Sequence, residues 1–158
     1  MAMELHIFSD RRLFSIREWQ RALDAEGFSL QLSPDVQFDT ASGFLPCQLN
    51  NKATGFECYH DDAGELGTLM SQAGGKWLFA LGLRWTSDST ELQAAWMAAS
   101  AYARATLGLV FDHQEGKAFT AAQAREVTLA IERDLPKFEE TMAEILKKIG
   151  DTFGNPKR

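Results

Sequence analysis

Asp112, His113 and Glu115 stand within four positions of one another in GLVFDHQEGKAF, residues 108–119. Carboxylates beside an imidazole are the groups that bind divalent ions or move protons. A transition-metal site draws several ligands into defined geometry. The three histidines, His6, His60 and His113, include no pair at H-x-x-x-H spacing. The stretch also lacks the D-x-D-x-D-G pattern of a calcium loop. The simpler expectation is that Leu109, Val110 and Phe111 are buried and that the chain turns into solvent from Asp112 onward. No metal and no cofactor are expected from these motifs.

ECYHDD, residues 57–62, carries the residue types of a nucleophile, a base and an orienter in Cys58, His60 and Asp61. On a strand, however, Cys58 and His60 point the same way and Asp61 the opposite way. The two cysteines, Cys47 and Cys58, form no C-x-x-C and are expected to be reduced and packed. AGGKW, residues 73–77, has a Gly-Lys pair but lacks the spacing, the following Ser or Thr and the helix of a phosphate loop. G-x-S-x-G and G-x-G-x-x-G are absent from the sequence, so serine-hydrolase and dinucleotide-binding readings have no motif. Trp19 and Trp96 fall on apolar helical stripes, and Trp77 and Trp85, eight apart, are expected on one face of a strand. All four are expected in the core, with one of the latter two a possible anchor for a partner at the sheet's end.

Three capping signatures mark helix starts: Ser15 with Glu18, Asp88 with Glu91, and Thr120 with Gln123. Phe14 can staple onto Trp19 across the first. Gly27 and Gly108 are the expected helix stops. Alternation places Met3, Leu5 and Ile7 on one face of a first strand and Glu4 and His6 on the other. FSLQL, residues 28–32, is a second strand. FLPCQL returns through Asn50-Asn51 into FECYH as a hairpin, with Pro46 at an edge or irregular position. A long glycine-rich connection then leads to KWLFALGLRW, a central strand apolar on both sides. Leu92, Ala95, Trp96, Ala99, Tyr102 and Ala103 mark a helix face. Ala124, Val127, Ile131 and Leu135 mark another, kinked at Pro136 and continuing through Phe138 to Gly150.

These elements predict an α+β fold. Residues 1–150 form one domain with an antiparallel or mixed sheet of about five to six strands, helices on one face and a long kinked C-terminal helix. Residues 151–158 form a flexible tail.

At 158 residues with 45% hydrophobic content, the chain can bury a core of its own. A net charge of −6 disfavours nucleic acid as a partner, because displacing counterions takes Lys and Arg. No apolar run reaches the ~20 residues of a membrane span, and MAMELHIFSD has no secretory-signal pattern. A cytoplasmic location is expected, and an acidic surface favours a basic partner through steering.

The segment from Leu83 to Ala124 resembles a pattern in small, largely uncharacterised bacterial α+β proteins. There a strand ending in Arg-Trp, here Arg84-Trp85, leads into an alanine-rich helix. A buried strand then closes in a hydrophobic-Asp-x-x-x-Gly turn, here Val110 to Gly116. Related layouts include proteins thought to act as immunity proteins against antibacterial toxins. The resemblance implies a non-enzymatic module that binds and occludes a cognate, basic toxin. Its candidate contacts are Asp61, Asp62 and Glu65 in one acidic loop and Asp112, His113 and Glu115 in the other. The alternatives are a small enzyme using the Asp112/His113/Glu115 cluster and a secretion-system chaperone whose C-terminal helix binds a client.

Overall fold

The computed structural model describes residues 3–38, 42–67, 71, 75–86 and 88–134. In chain order the elements are β1 (Met3–Ser9), α1 (Ile16–Ala25), β2 (Leu30–Leu32), β3 (Gly43–Leu49) and β4 (Lys52–Asp61). A short 3-10 helix (Ala63–Leu66) precedes β5 (Phe79–Trp85), α2 (Ser89–Thr106), β6 (Leu109–Asp112) and β7 (Lys117–Thr120). A third helix, α3, covers 121–134. The chain divides into two compact units, Met1–Thr128 and Leu129–Arg158; of the second, 129–134 are described and helical. The expected kink at Pro136 and the tail from 151 lie outside the described residues.

The strands form one antiparallel sheet in the order β2-β3-β4-β5-β1-β6-β7. Among the described residues it has seven strands rather than five or six. The additional strand is β7, which pairs with β6 from Leu109↔Thr120 to Asp112↔Lys117. Only four residues long and at the sheet's edge, it carries too little alternation to stand out from a turn.

All three N-caps form, and the Thr120/Gln123 pair closes the full reciprocal box. Ser15 Oγ accepts from Glu18 N at 3.1 Å while Glu18 Oε1 accepts from Phe14 N at 2.9 Å. Asp88 Oδ1 accepts from Thr90 N and Glu91 N. Thr120 and Gln123 bond reciprocally at 3.0 and 3.2 Å. The Phe14 staple is replaced by a different arrangement: Phe14 stays 63% exposed beneath the Arg12 guanidinium, and Trp19 turns into the core.

The turn between β3 and β4 places Asn50 and Asn51 at φ 52° and 66°, the left-handed pair that a two-residue hairpin needs. Pro46 pairs with Gly55 at the point where β2 ends, so β3 is the sheet's edge there and no ladder donor is missed.

One face of the sheet carries Leu5, Ile7, Leu45, Phe56, Cys58, Leu83 and Val110, all buried. Helices α1 and α2 lie on this face. Trp19 of α1 packs its ring 6.1 Å from Phe56 and 5.3 Å from Tyr102, and donates from Nε1 to Ala98 O at 2.9 Å. Helix α2 is buried on every side from Ala94 to Ala103, not along one stripe alone. Its alanines let α1, the sheet and the start of α3 approach together. Thr128, absent from the expected α3 stripe, is fully buried and bonds its hydroxyl to Ala124 O at 2.8 Å.

Helix α2 does not stop on a glycine. Its left-handed residue is Leu107, at φ 59° and 72% exposed. Gly108 is instead pressed against β1, where a Cβ would overlap the Phe8 carbonyl oxygen and reach Ser9 Cβ at 2.9 Å. The glycine is needed for close approach, not for its backbone angle.

The opposite face has a smaller cluster of Phe8, Ala80 and Phe111, covered by Ala63, Leu66 and Trp77. β5 begins at Phe79, so Trp77 is off the strand and packs on this second face. Trp85 faces the helices. The eight-residue spacing therefore does not bring the two tryptophans together.

Candidate functional site

The strand register assembles a polar row on the second face. β1 lies between β5 and β6, with Glu4↔Arg84, His6↔Gly82 and His6↔Phe111 as neighbours. His113 follows β6, and its N–H donates to Glu4 O at 3.3 Å. On the far side of β5, Tyr59 pairs with Gly82 and Glu57 with Arg84.

His6 is 3% exposed and would leave two ring nitrogens unsatisfied. Both are bonded. Nε2 meets Asp61 Oδ2 at 2.7 Å, and Nδ1 meets His113 Nε2 at 2.7 Å. His113 Nδ1 lies 3.9 Å from Glu4 Oε1, and Glu4 Oε2 accepts from Arg84 Nε at 2.9 Å. Arg84 stacks over Tyr59, whose hydroxyl donates to Glu57 Oε1 at 2.8 Å. The polar row thus runs Asp61, His6, His113, Glu4, Arg84, Tyr59, Glu57 across three strands and a turn.

Gly82 makes room for it. A Cβ there would meet Asp61 Oδ2 at 2.7 Å and His6 Nε2 at 3.1 Å. The carboxylate–imidazole contact occupies the space above this glycine.

The tautomers follow from the partners. An ionised carboxylate only accepts, so His6 Nε2 carries the proton and Nδ1 of neutral His6 accepts from His113 Nε2–H. Burial lowers the pKa of His113; Glu4 opposes this and His6 adds to it. Its folded value lies below the ordinary 6.5, so between the two the unfolded chain binds more protons and stability rises with pH. That contribution is complete above the unfolded value and is lost as pH falls through the folded one. Unfolding midpoints in urea, measured between about pH 5 and 7.5 with chelator present, should rise with pH. In His113→Gln the rise should flatten; superimposable profiles would remove His113 as its source.

The local DHQE cluster does not hold together. Asp112 points to the opposite face from His113, pairs across to Lys117 and caps its own turn by accepting from Gln114 N at 3.0 Å. Burial raises its pKa, partly offset by that N–H. Glu115 is exposed in the turn. Of the other loop, Asp61 joins the row, Asp62 caps the 3-10 helix through Gly64 N at 2.8 Å, and Glu65 is exposed. The two loops sit at opposite ends of the strands and, among the described residues, His6 links them.

Cys58 finds no base. His60 bonds its Nε2 to Phe38 O at 2.9 Å, and Asp61 turns to the other face. Both cysteines are free and buried. Burial pushes the Cys47 thiol up to about 12 and raises Cys58 as well, with Cys47 and Asp61 adding to the latter. Neither thiol is poised as a nucleophile.

Glu4, His6, Tyr59 and Gly82 were not singled out by local motifs, and Arg84 entered only through the Arg84-Trp85 pattern. The usable signals were a histidine on the face of β1 opposite Leu5 and Ile7 and a glycine inside an otherwise apolar central strand. Comparison with known proteins finds no matching family model, no similar curated protein and no similar solved structure. The chemistry of the site therefore rests on its own geometry.

Proposed function

We propose that the chain is a non-enzymatic protein-binding module, specifically an immunity protein that occludes a basic toxin through the sheet face opposite α1 and α2. The observation that carries this reading is Phe44. It is 59% exposed on that face, beside Glu57, with its ring lying over Gly55. An exposed aromatic on a sheet surface flanked by Pro46, Gln48, Tyr59 and Arg84 has the make-up of an interface anchor with a polar rim. Asp62 and Glu65 at one end and Glu115 at the other border it with exposed carboxylates. With a net charge of −6 they would steer a cationic partner. The face offers neither a thiolate nucleophile nor a Cys–His pair, which supports binding over covalent catalysis. Among the described residues no helix is long and apolar enough to cross a membrane.

The test is recovery of the tagged full chain from its native cells, with mass spectrometry of what stays bound. A stoichiometric small basic protein, toxic alone and harmless on co-expression, is the expected result. Phe44→Asp should then weaken the complex by about 30-fold or more, the scale of an interface hot spot. A complex that forms equally well with Phe44→Asp would place the interface elsewhere.

A further inference from the structure

We propose that Glu4, His6 and His113 form a binding site for a divalent transition-metal ion such as zinc. This goes beyond the binding reading and does not depend on it.

One ligand atom from each of the three residues lies within 4.8 Å of the others. Two imidazoles and a carboxylate are a donor set that suits zinc and its first-row neighbours. The nitrogens face one another instead of turning to backbone carbonyls: His6 Nδ1 and His113 Nε2 stand 2.7 Å apart. In a tetrahedral ion with bonds of about 2.0–2.1 Å, ligand atoms lie about 3.3 Å apart, so the nitrogens part by about 0.6 Å and Glu4 closes in.

The residues behind the donors strengthen the assignment. Asp61 accepts from His6 Nε2 at 2.7 Å and fixes the tautomer in which Nδ1 has the free lone pair. A carboxylate behind a ligating histidine orients the ring and raises its basicity. Gly82 leaves the space in which that carboxylate sits. Arg84 holds Glu4 by Oε2 and leaves Oε1 on the His113 side.

His6 is buried and bonded at both ring nitrogens, while the side chains of His113 and Glu4 are 25% and 21% exposed. The fourth position opens toward solvent, as in sites that retain a water or accept a donor from a partner. On binding, the His113 proton moves from Nε2 to Nδ1, the nitrogen facing Glu4. No proton is gained or lost.

Titration calorimetry of chelator-stripped full chain with zinc chloride tests the site, supported by visible spectra of the cobalt(II) form. One equivalent should bind. His113→Ala should weaken binding at least about 100-fold, and Asp61→Asn about 10- to 100-fold, the range for a residue behind a ligand. If His113→Ala does not fold by circular dichroism, Glu4→Gln, which keeps the shape and removes the charge, is read in its place with the same 100-fold expectation. No saturable binding to the wild-type chain overturns the proposal. So does zinc affinity in the ligand variant within about threefold of wild type, because the ion then sits elsewhere.

Discussion

Replacing Trp19 with alanine is expected to cost about 3–5 kcal/mol, the largest loss from any single side chain here. Trp19 is fully buried on α1 and meets Phe38 at 5.0 Å, Phe56 at 6.1 Å and Tyr102 at 5.3 Å between ring centres. It therefore joins α1 to the sheet through Phe56 and to α2 through Tyr102. Its Nε1–H also satisfies Ala98 O, in a stretch of α2 where every residue is buried. The substitution removes the transfer free energy of the indole, opens a cavity between three elements and deletes that hydrogen bond. Native domains have only about 5–15 kcal/mol in hand. The variant should thus unfold at a much lower urea concentration than wild type. A cost below about 1.5 kcal/mol would mean that α1 is not anchored through this ring.

Gly108→Ala is expected to cost about 2–3 kcal/mol, at the upper end for overpacking. The added methyl meets the Phe8 carbonyl and Ser9 Cβ, parts of the central strand β1 that cannot swing aside as a surface side chain would. To relieve the clash, β6 must lift from β1, which strains the pairing Phe8↔Leu109. The opposite kind of change one residue earlier, to glycine, runs the other way. Leu107 adopts φ 59° with its side chain 72% exposed, so Leu107→Gly relieves left-handed strain and should stabilise the chain by up to about 1 kcal/mol. Chemical denaturation of the pair reads both signs. If Gly108→Ala were neutral, the close approach to β1 would not be what requires glycine there.

Much of the fold could be read locally because its signals are local. Ser15/Glu18, Asp88/Glu91 and Thr120/Gln123 each place a donor and an acceptor three residues apart, and such a pair closes within one turn. The Asn50-Asn51 turn and the alternation of β1 have equally short range. Gly108 shows the limit. A glycine after a helical stripe usually marks the left-handed stop, yet here a contact with β1, a hundred positions earlier, decides its role.

The chain order alone determined the α+β class, the helix starts, the hairpin and the placement of Glu4 and His6 together on one face of β1. Only the tertiary structure decided that His6 lies between Asp61 and His113, residues 55 and 107 positions away. That depends on β1 inserting between β5 and β6, and on a pairing register in which a slip of one residue would turn His6 to the helical face. Periodicity specifies which residues share a side of a strand, but not which strands lie side by side. The compact DHQE motif came apart where β6 ends: Asp112, its last residue, pairs with Leu5 on the helical face, while His113, first in the turn, reaches His6 on the other.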